Sequence, residues 1–205
     1  MSIVKLNNRS VKDATAFGSI TGLGSMTFIK KVTASSSATV SFVDGTSDVV
    51  LDNTYKEYLF TFNNIHPATD DVKLVFQATT NGSDFNTTVT NTYFLAQHTE
   101  DDSSTSFTYS ASDDQAQGTA FQRLNESTGS DNDQSISGYL HLFEPSSTTF
   151  VKNYLSRSSS IFDQASDVYG AGYFNTTSAI TGIQFKFGSG NIDSGTIKLY
   201  GIKDS

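Results

Sequence analysis

From Tyr55 to Pro67 the chain reads Tyr-Lys-Glu-Tyr-Leu-Phe-Thr-Phe-Asn-Asn-Ile-His-Pro. In an extended backbone Tyr58, Phe60 and Phe62 fall on one side and Tyr55, Glu57, Leu59 and Thr61 on the other, so this stretch is a strand with an apolar inner face and a mixed outer one. Thr196 to Ile202 repeats the pattern, with Ile197 and Leu199 opposing Thr196, Lys198 and Tyr200. Short runs rich in β-branched and aromatic residues, punctuated by Gly, Asn, Asp and Ser, recur along the chain. They predict strands near Met26–Thr33, Ala38–Val43, Tyr55–Ile65, Val72–Thr79, Val89–His98 and Ser106–Ser110. Further strands are predicted near Ser137–Phe143, Thr149–Ser156, Ala171–Asn175, Ile180–Phe187 and Thr196–Ile202.

Turn chemistry gives two hairpin expectations. Asp44-Gly45 separates Thr39–Val43 from Ser47–Leu51, and Gly188–Gly195 joins the last two strands. Only Gln115–Asn125 has a helical hint, from the spacing of Phe121 and Leu124, and Gly118 and Thr119 interrupt it. Thr99–Ser104, Ser110–Ala116 and Asn125–Ser135 are acidic, polar and poor in apolar residues, which predicts loops. The result is an all-β, antiparallel two-sheet sandwich of jelly-roll type, a single domain over residues 25–205 behind an N-terminal arm, residues 1–24. Its expected core is Phe28, Val40, Phe42, Tyr58, Phe60, Phe62, Leu74, Phe76, Leu140, Leu142, Phe185, Phe187, Ile197 and Leu199.

Composition narrows the function. The 205 residues include 13 basic and 21 acidic side chains, for a net charge of −8, and more than a quarter are Ser or Thr. Binding to a nucleic-acid backbone or to anionic lipid draws on clustered Lys and Arg, so neither is an expected partner. With no cysteine there is no disulfide, thiol nucleophile or thiolate metal site. No apolar run approaches the about 18 to 20 residues of a membrane-spanning helix. Met1 to Arg9 is too polar for a secretory signal, so no export signal is expected.

No catalytic constellation stands out. His66, His98 and His141 are far apart in sequence, and no HExxH or GxSxG motif occurs. The chain is expected to be no enzyme and to need no cofactor. Asp131-Asn132-Asp133 resembles half of a calcium loop, but the Gly and Glu an EF-hand requires are missing. Five Asn-x-Ser/Thr sequons, at Asn8, Asn81, Asn86, Asn125 and Asn175, follow from the Ser and Thr content and are expected to stay unmodified. Trp, the preferred sugar-stacking residue, is absent; Tyr109, Tyr169 and Tyr173 adjoin predicted loops and are the candidate glycan contacts.

Tyr55–Pro67, the C-terminal Ile180-Thr-Gly-Ile-Gln-Phe-Lys-Phe-Gly-Ser-Gly-Asn-Ile-Asp-Ser-Gly-Thr-Ile-Lys-Leu-Tyr-Gly-Ile-Lys203 and the earlier Phe28-Ile-Lys-Lys-Val-Thr-Ala-Ser-Ser-Ser-Ala-Thr-Val-Ser-Phe42 resemble small virion proteins of tailed bacteriophages, particularly those of marine bacteria and cyanobacteria. The resemblance implies a β-sandwich made in the host cytoplasm and displayed on the virion as a head decoration protein, or alternatively as a tail or tail-fibre component that meets a host receptor or surface glycan. Expected partners are other virion proteins (the major capsid protein or tail proteins) and further copies of the chain, as a homo-oligomer for which the resemblance implies a trimer, since such proteins commonly sit on particle symmetry axes. Ile3, Val4 and Leu6, an apolar cluster ahead of the sandwich, are the candidate attachment residues. The acidic segments Glu100–Ser104 and Asp113–Gln117 are expected to face solvent or the host, because desolvating clustered carboxylates is costly.

Overall fold

The structure, a computed structural model, describes residues 25–204. Thirteen strands and no helix occur among them: β1 (Met26–Ser37), β2 (Val40–Val43), β3 (Glu57–Pro67), β4 (Leu74–Thr79), β5 (Val89–Thr99), β6 (Thr105–Tyr109), β7 (Gln115–Gly118), β8 (Gln122–Arg123), β9 (Ile136–Phe143), β10 (Lys152–Ile161), β11 (Gln164–Phe174), β12 (Gly182–Phe187) and β13 (Ile192–Ile202). One antiparallel sheet runs β1-β13-β3-β9-β10-β11-β5-β6, with β7 also pairing β5, and a second runs β2-β12-β4-β8.

The pairing explains the winding. β1 pairs β13, β2 pairs β12, β3 pairs β9 and β4 pairs β8, so the two halves of the chain form a folded-back ribbon. Rolling that ribbon brings β13 beside β3 and β12 beside β4, which is the jelly roll. Strands β10, β11, β5, β6 and β7 are additions that widen only the larger sheet.

The core lies between the sheets. Phe185 is its hub, with ring centroids 6.3, 5.5, 5.2 and 6.4 Å from those of Phe42, Phe60, Phe62 and Phe76. All the expected core residues are buried except Phe28, which is 55% exposed. The pairing of β1 with β13 shifts between Phe28 and Lys30. One inserted residue reverses the side of everything before it, and Phe28 therefore points outward, edge-on to Tyr200 at 5.7 Å.

The helical hint does not become a helix, and both hairpin expectations are corrected. Gln115–Asn125 holds the short strands β7 and β8 and no helix, because its amides serve as sheet and side-chain partners: Gln115 N donates to Asn91 Oδ1, and Gln77 Nε2 donates to the Thr119 and Ala120 carbonyls. Asp44-Gly45 does make a turn, with Gly45 at φ 72° and Asp44 Oδ1 accepting from Leu51 N, but no strand follows it. β2 pairs β12 instead. Gly188–Gly195 is not a hairpin loop either, since β12 and β13 belong to different sheets.

Under the added strands the interior is polar. Ser156, Ser158, Ser160 and Ser166 take inward positions of β10 and β11, and Ser158 Oγ donates to the Leu124 carbonyl at 2.5 Å. Lys152 is fully buried, its Nζ donating to the Phe150 and Thr176 carbonyls at 3.0 Å each. Burial lowers its pKa from the ordinary 10.5. Between the folded pKa and 10.5 the unfolded chain holds a proton that the folded chain has shed, so this lysine adds stability as pH rises through that window, and its penalty is fully present below it. In urea titrations, the stability of the wild type relative to Lys152→Met is expected to increase from neutral pH towards pH 10.5; a pH-independent difference would show that Lys152 is charged without penalty.

Candidate functional site

The smaller sheet covers only the inner face of the larger one. Among the described residues the outer face of the larger sheet is open, and pairing register aligns its residues into rows. One row crosses all eight strands: Lys31, Lys198, Thr61, Tyr139, Arg157, Tyr169, Phe94 and Tyr109. Registered neighbours in a sheet lie about 5 Å apart and interact directly.

The row is braced along its length. The Phe94 and Tyr169 rings stack 5.0 Å apart and 3° from parallel, and the Arg157 guanidinium lies 4.6 Å over the Tyr169 ring. Arg157 also grips Asp167 with two hydrogen bonds, Nε to Oδ1 at 3.0 Å and Nη2 to Oδ2 at 2.7 Å. Those bonds hold the Asp167 carboxyl below the usual carboxylate range. Beyond the stack, Phe107 meets Phe94 edge-on at 5.8 Å, and the Tyr109 hydroxyl donates to Asp114.

Two shallow hollows flank the row. One of about 330 Å³ is lined by Ser137, Tyr139, Arg157, Ser159 and Asp167. The other, of about 450 Å³, is more apolar and is lined by Thr92, Phe143, Asn153, Leu155, Ala171 and Tyr173. Gly138 borders the first; a Cβ there would run into the Arg157 carbonyl, so the close approach of β9 to β10 requires glycine.

Of the candidate residues from the sequence, Tyr109, Tyr169 and Tyr173 all stand on this face, the first two in one row and Tyr173 four residues farther along β11. Both faces of the Tyr169 ring are covered, by Phe94 and by Arg157, so it presents an edge outward. Ile3, Val4 and Leu6 lie outside the described residues. Glu100, Asp101 and Asp102 are exposed at the β5–β6 turn as expected. Asp113 is not: it is buried, paired with Arg123 and bonded by Ser110 Oγ at 2.6 Å. The expectation of a solvent-facing segment fails there because Arg123, ten residues on, supplies the missing cation.

The histidines stay apart, each beside a different carboxylate: His66 with Asp193 at 3.7 Å, His98 with Asp102 at 2.9 Å and His141 with Glu57 at 2.8 Å. Among the described residues no three His, Cys, Asp or Glu side chains gather as metal ligands. Asp131 offers its main-chain carbonyl to His66 Nε2 at 3.1 Å. No known protein family, characterised protein or solved structure matches the chain.

The row itself was invisible to sequence reasoning, since its members come from eight strands and only register brings them together. The one local signal was the outward phase of β3, where Leu59 and Thr61 alternate with the core aromatics.

Proposed function

We propose that the chain is a structural protein of a tailed-phage particle, a non-enzymatic β-sandwich displayed on the head as a decoration protein. The observation carrying this reading is where the three phage-like segments fall. Phe28–Phe42 supplies β1 and β2, Tyr55–Pro67 supplies β3, and Ile180–Lys203 supplies β12 and β13. These strands are neighbours, β1-β13-β3 in one sheet and β2-β12 in the other. The resemblance therefore covers one continuous end of the jelly roll, as expected if a shared fold rather than shared composition underlies it.

In this reading residues 1–24 attach the sandwich to the shell through Ile3, Val4 and Leu6. Each such side chain buried against a neighbour contributes about 1.5 to 3 kcal/mol before ordering costs. The full chain, added to particles that lack it, is expected to bind heads saturably, and the chain starting at residue 25 to stay in the supernatant after sedimentation. Equal binding by both would place the anchor on the sandwich, and no binding by either would remove the decoration reading.

A tail or fibre component contacting a surface glycan is the second reading. It is favoured by the apolar hollow beside Tyr173 and Asn153, which pairs a ring with an amide donor. Retention of the chain on host polysaccharide, lost in Tyr173→Ala, would support it.

A further inference from the structure

The outer face differs in charge from the rest of the molecule. Its three central rows carry three cations, Lys31, Lys198 and Arg157, and one carboxylate, Asp167, in a chain whose net charge is −8. The charges are also sorted. Lys31 and Lys198 sit side by side at one end of the long row, where like charges in register repel, and the row ends at the other side on Tyr109 and its partner Asp114. Tyr139, Tyr169 and Phe94 lie between the ends with Thr61 and Arg157, and the face also exposes Leu155, at 48%, and Phe107 on the edge strand β6, at 75%.

We infer that this face pairs with the same face of a second copy about a two-fold axis that runs parallel to the strands between β9 and β10. Such an axis turns the two faces towards each other, keeps position along the strands and reverses the order of strands. Each member of the eight-residue row then meets the member equally far from the opposite end. Lys31 lies over Tyr109 and beside Asp114 of the second copy, Lys198 over Phe94, Thr61 over Tyr169 and Tyr139 over Arg157. Lys31 and Arg157 each meet a tyrosine, Tyr109 and Tyr139, and Lys31 also gains a carboxylate; Lys198 meets the edge of Phe94, whose ring lies parallel to that of Tyr169, and gains no cation–π contact there.

The adjacent rows fit as well. On one side the row Phe28, Tyr200, Leu59, His141, Leu155, Ala171, Thr92 sets Leu59 against Ala171 and His141 against Leu155. On the other, Ser137 meets Ser159 and Asn63 meets Asp167, an amide donor against a carboxylate. In none of these contacts do like charges meet, which is what a self-complementary two-fold interface requires.

The size is sufficient. Eight strands at about 4.8 Å spacing and six residues along each at about 3.3 Å give a face of about 34 by 20 Å, or about 700 Å² per copy, against about 800 Å² per partner in an interface of standard size. Aligned face-to-face packing, with strand directions within about 30° of each other, is a common arrangement and includes the parallel alignment that this axis gives. A dimer of this kind replaces the trimer that the phage resemblance implies, and it covers Tyr109, Tyr169 and Tyr173, so it excludes glycan binding on this face. It does not depend on the particle.

Lys31 and Asp114 stand at opposite edges of the sheet, about 34 Å apart within one chain. That distance exceeds a Debye length of about 8 Å several times over, so they can be coupled only across copies. In sedimentation equilibrium of the full chain, the wild type is expected at twice the 22.1 kDa chain mass. Lys31→Glu and Asp114→Lys are each expected to raise the dimer Kd about tenfold or more, and the double variant to return it to within about threefold of wild type. Leu155→Glu, exposed and next to the axis, is a second disrupting variant expected to be monomeric, with circular dichroism checking that each protein is folded. A wild type that stays monomeric at about 100 μM, whether because residues 1–24 or another protein take the face, overturns the proposal. So does a trimer, and so does a dimer in which the two charge reversals fail to compensate.

Discussion

Phe185→Ala is expected to cost about 3 to 5 kcal/mol of folding stability, measured as the shift in urea-unfolding midpoint at unchanged slope. Four core rings converge on Phe185, and both sheets contribute them: Phe60 and Phe62 from β3 of the large sheet, Phe42 and Phe76 from β2 and β4 of the small one. Truncation removes the ring's transfer free energy and leaves a cavity at the junction of the sheets that neither backbone can close alone. Phe185→Leu keeps most of the volume and is expected to cost less than half as much. If the alanine variant lost under about 1 kcal/mol, the rings would not be packed as described.

Arg123→Met is expected to cost about 2 to 4 kcal/mol, and adding Asp113→Asn to restore most of it. The Asp113 side chain is only 6% exposed, and besides Arg123 its carboxylate keeps one side-chain donor, Ser110 Oγ. Without the guanidinium an ionised carboxylate stays buried with half its partners gone; the amide of Asn removes the charge. Arg123 is itself 37% exposed, which puts the loss below that of a fully buried pair. A double-mutant cycle in chemical denaturation measures the coupling, and additive losses would show that the two side chains act independently.

Strand parity was the most legible property of the sequence. Tyr58, Phe60 and Phe62 face inward as their alternation requires, and so do Ile197 and Leu199. Parity failed at Phe28 because a single bulge residue leaves no compositional mark and yet reverses which side faces the core. It also failed where polar residues fill the interior. Ser156, Ser158 and Ser160 occupy core positions of β10, but serine reads as surface until hydroxyls such as those of Ser156 and Ser158 are seen bonded to carbonyls.

Asn125 lies in a loop, as its polar neighbourhood predicts, yet its side chain is fully buried, Oδ1 accepting from Leu74 N at 2.6 Å and Nδ2 donating to Thr128 at 2.8 Å. An amide can stand in for a strand neighbour, and sequence alone does not show when it does. The outer face was the least legible part. Tyr109 and Tyr169 are 60 positions apart and adjoin only through Phe94, so the row exists only in the assembled sheet.

Locating the chain in a reconstruction of the intact phage particle tests the central claim most directly. Head decoration predicts density for this jelly roll on the outer shell, over capsomer junctions. Density confined to the tail or its fibres would transfer the account to the second reading, and particles that contain no copy of the chain would contradict it.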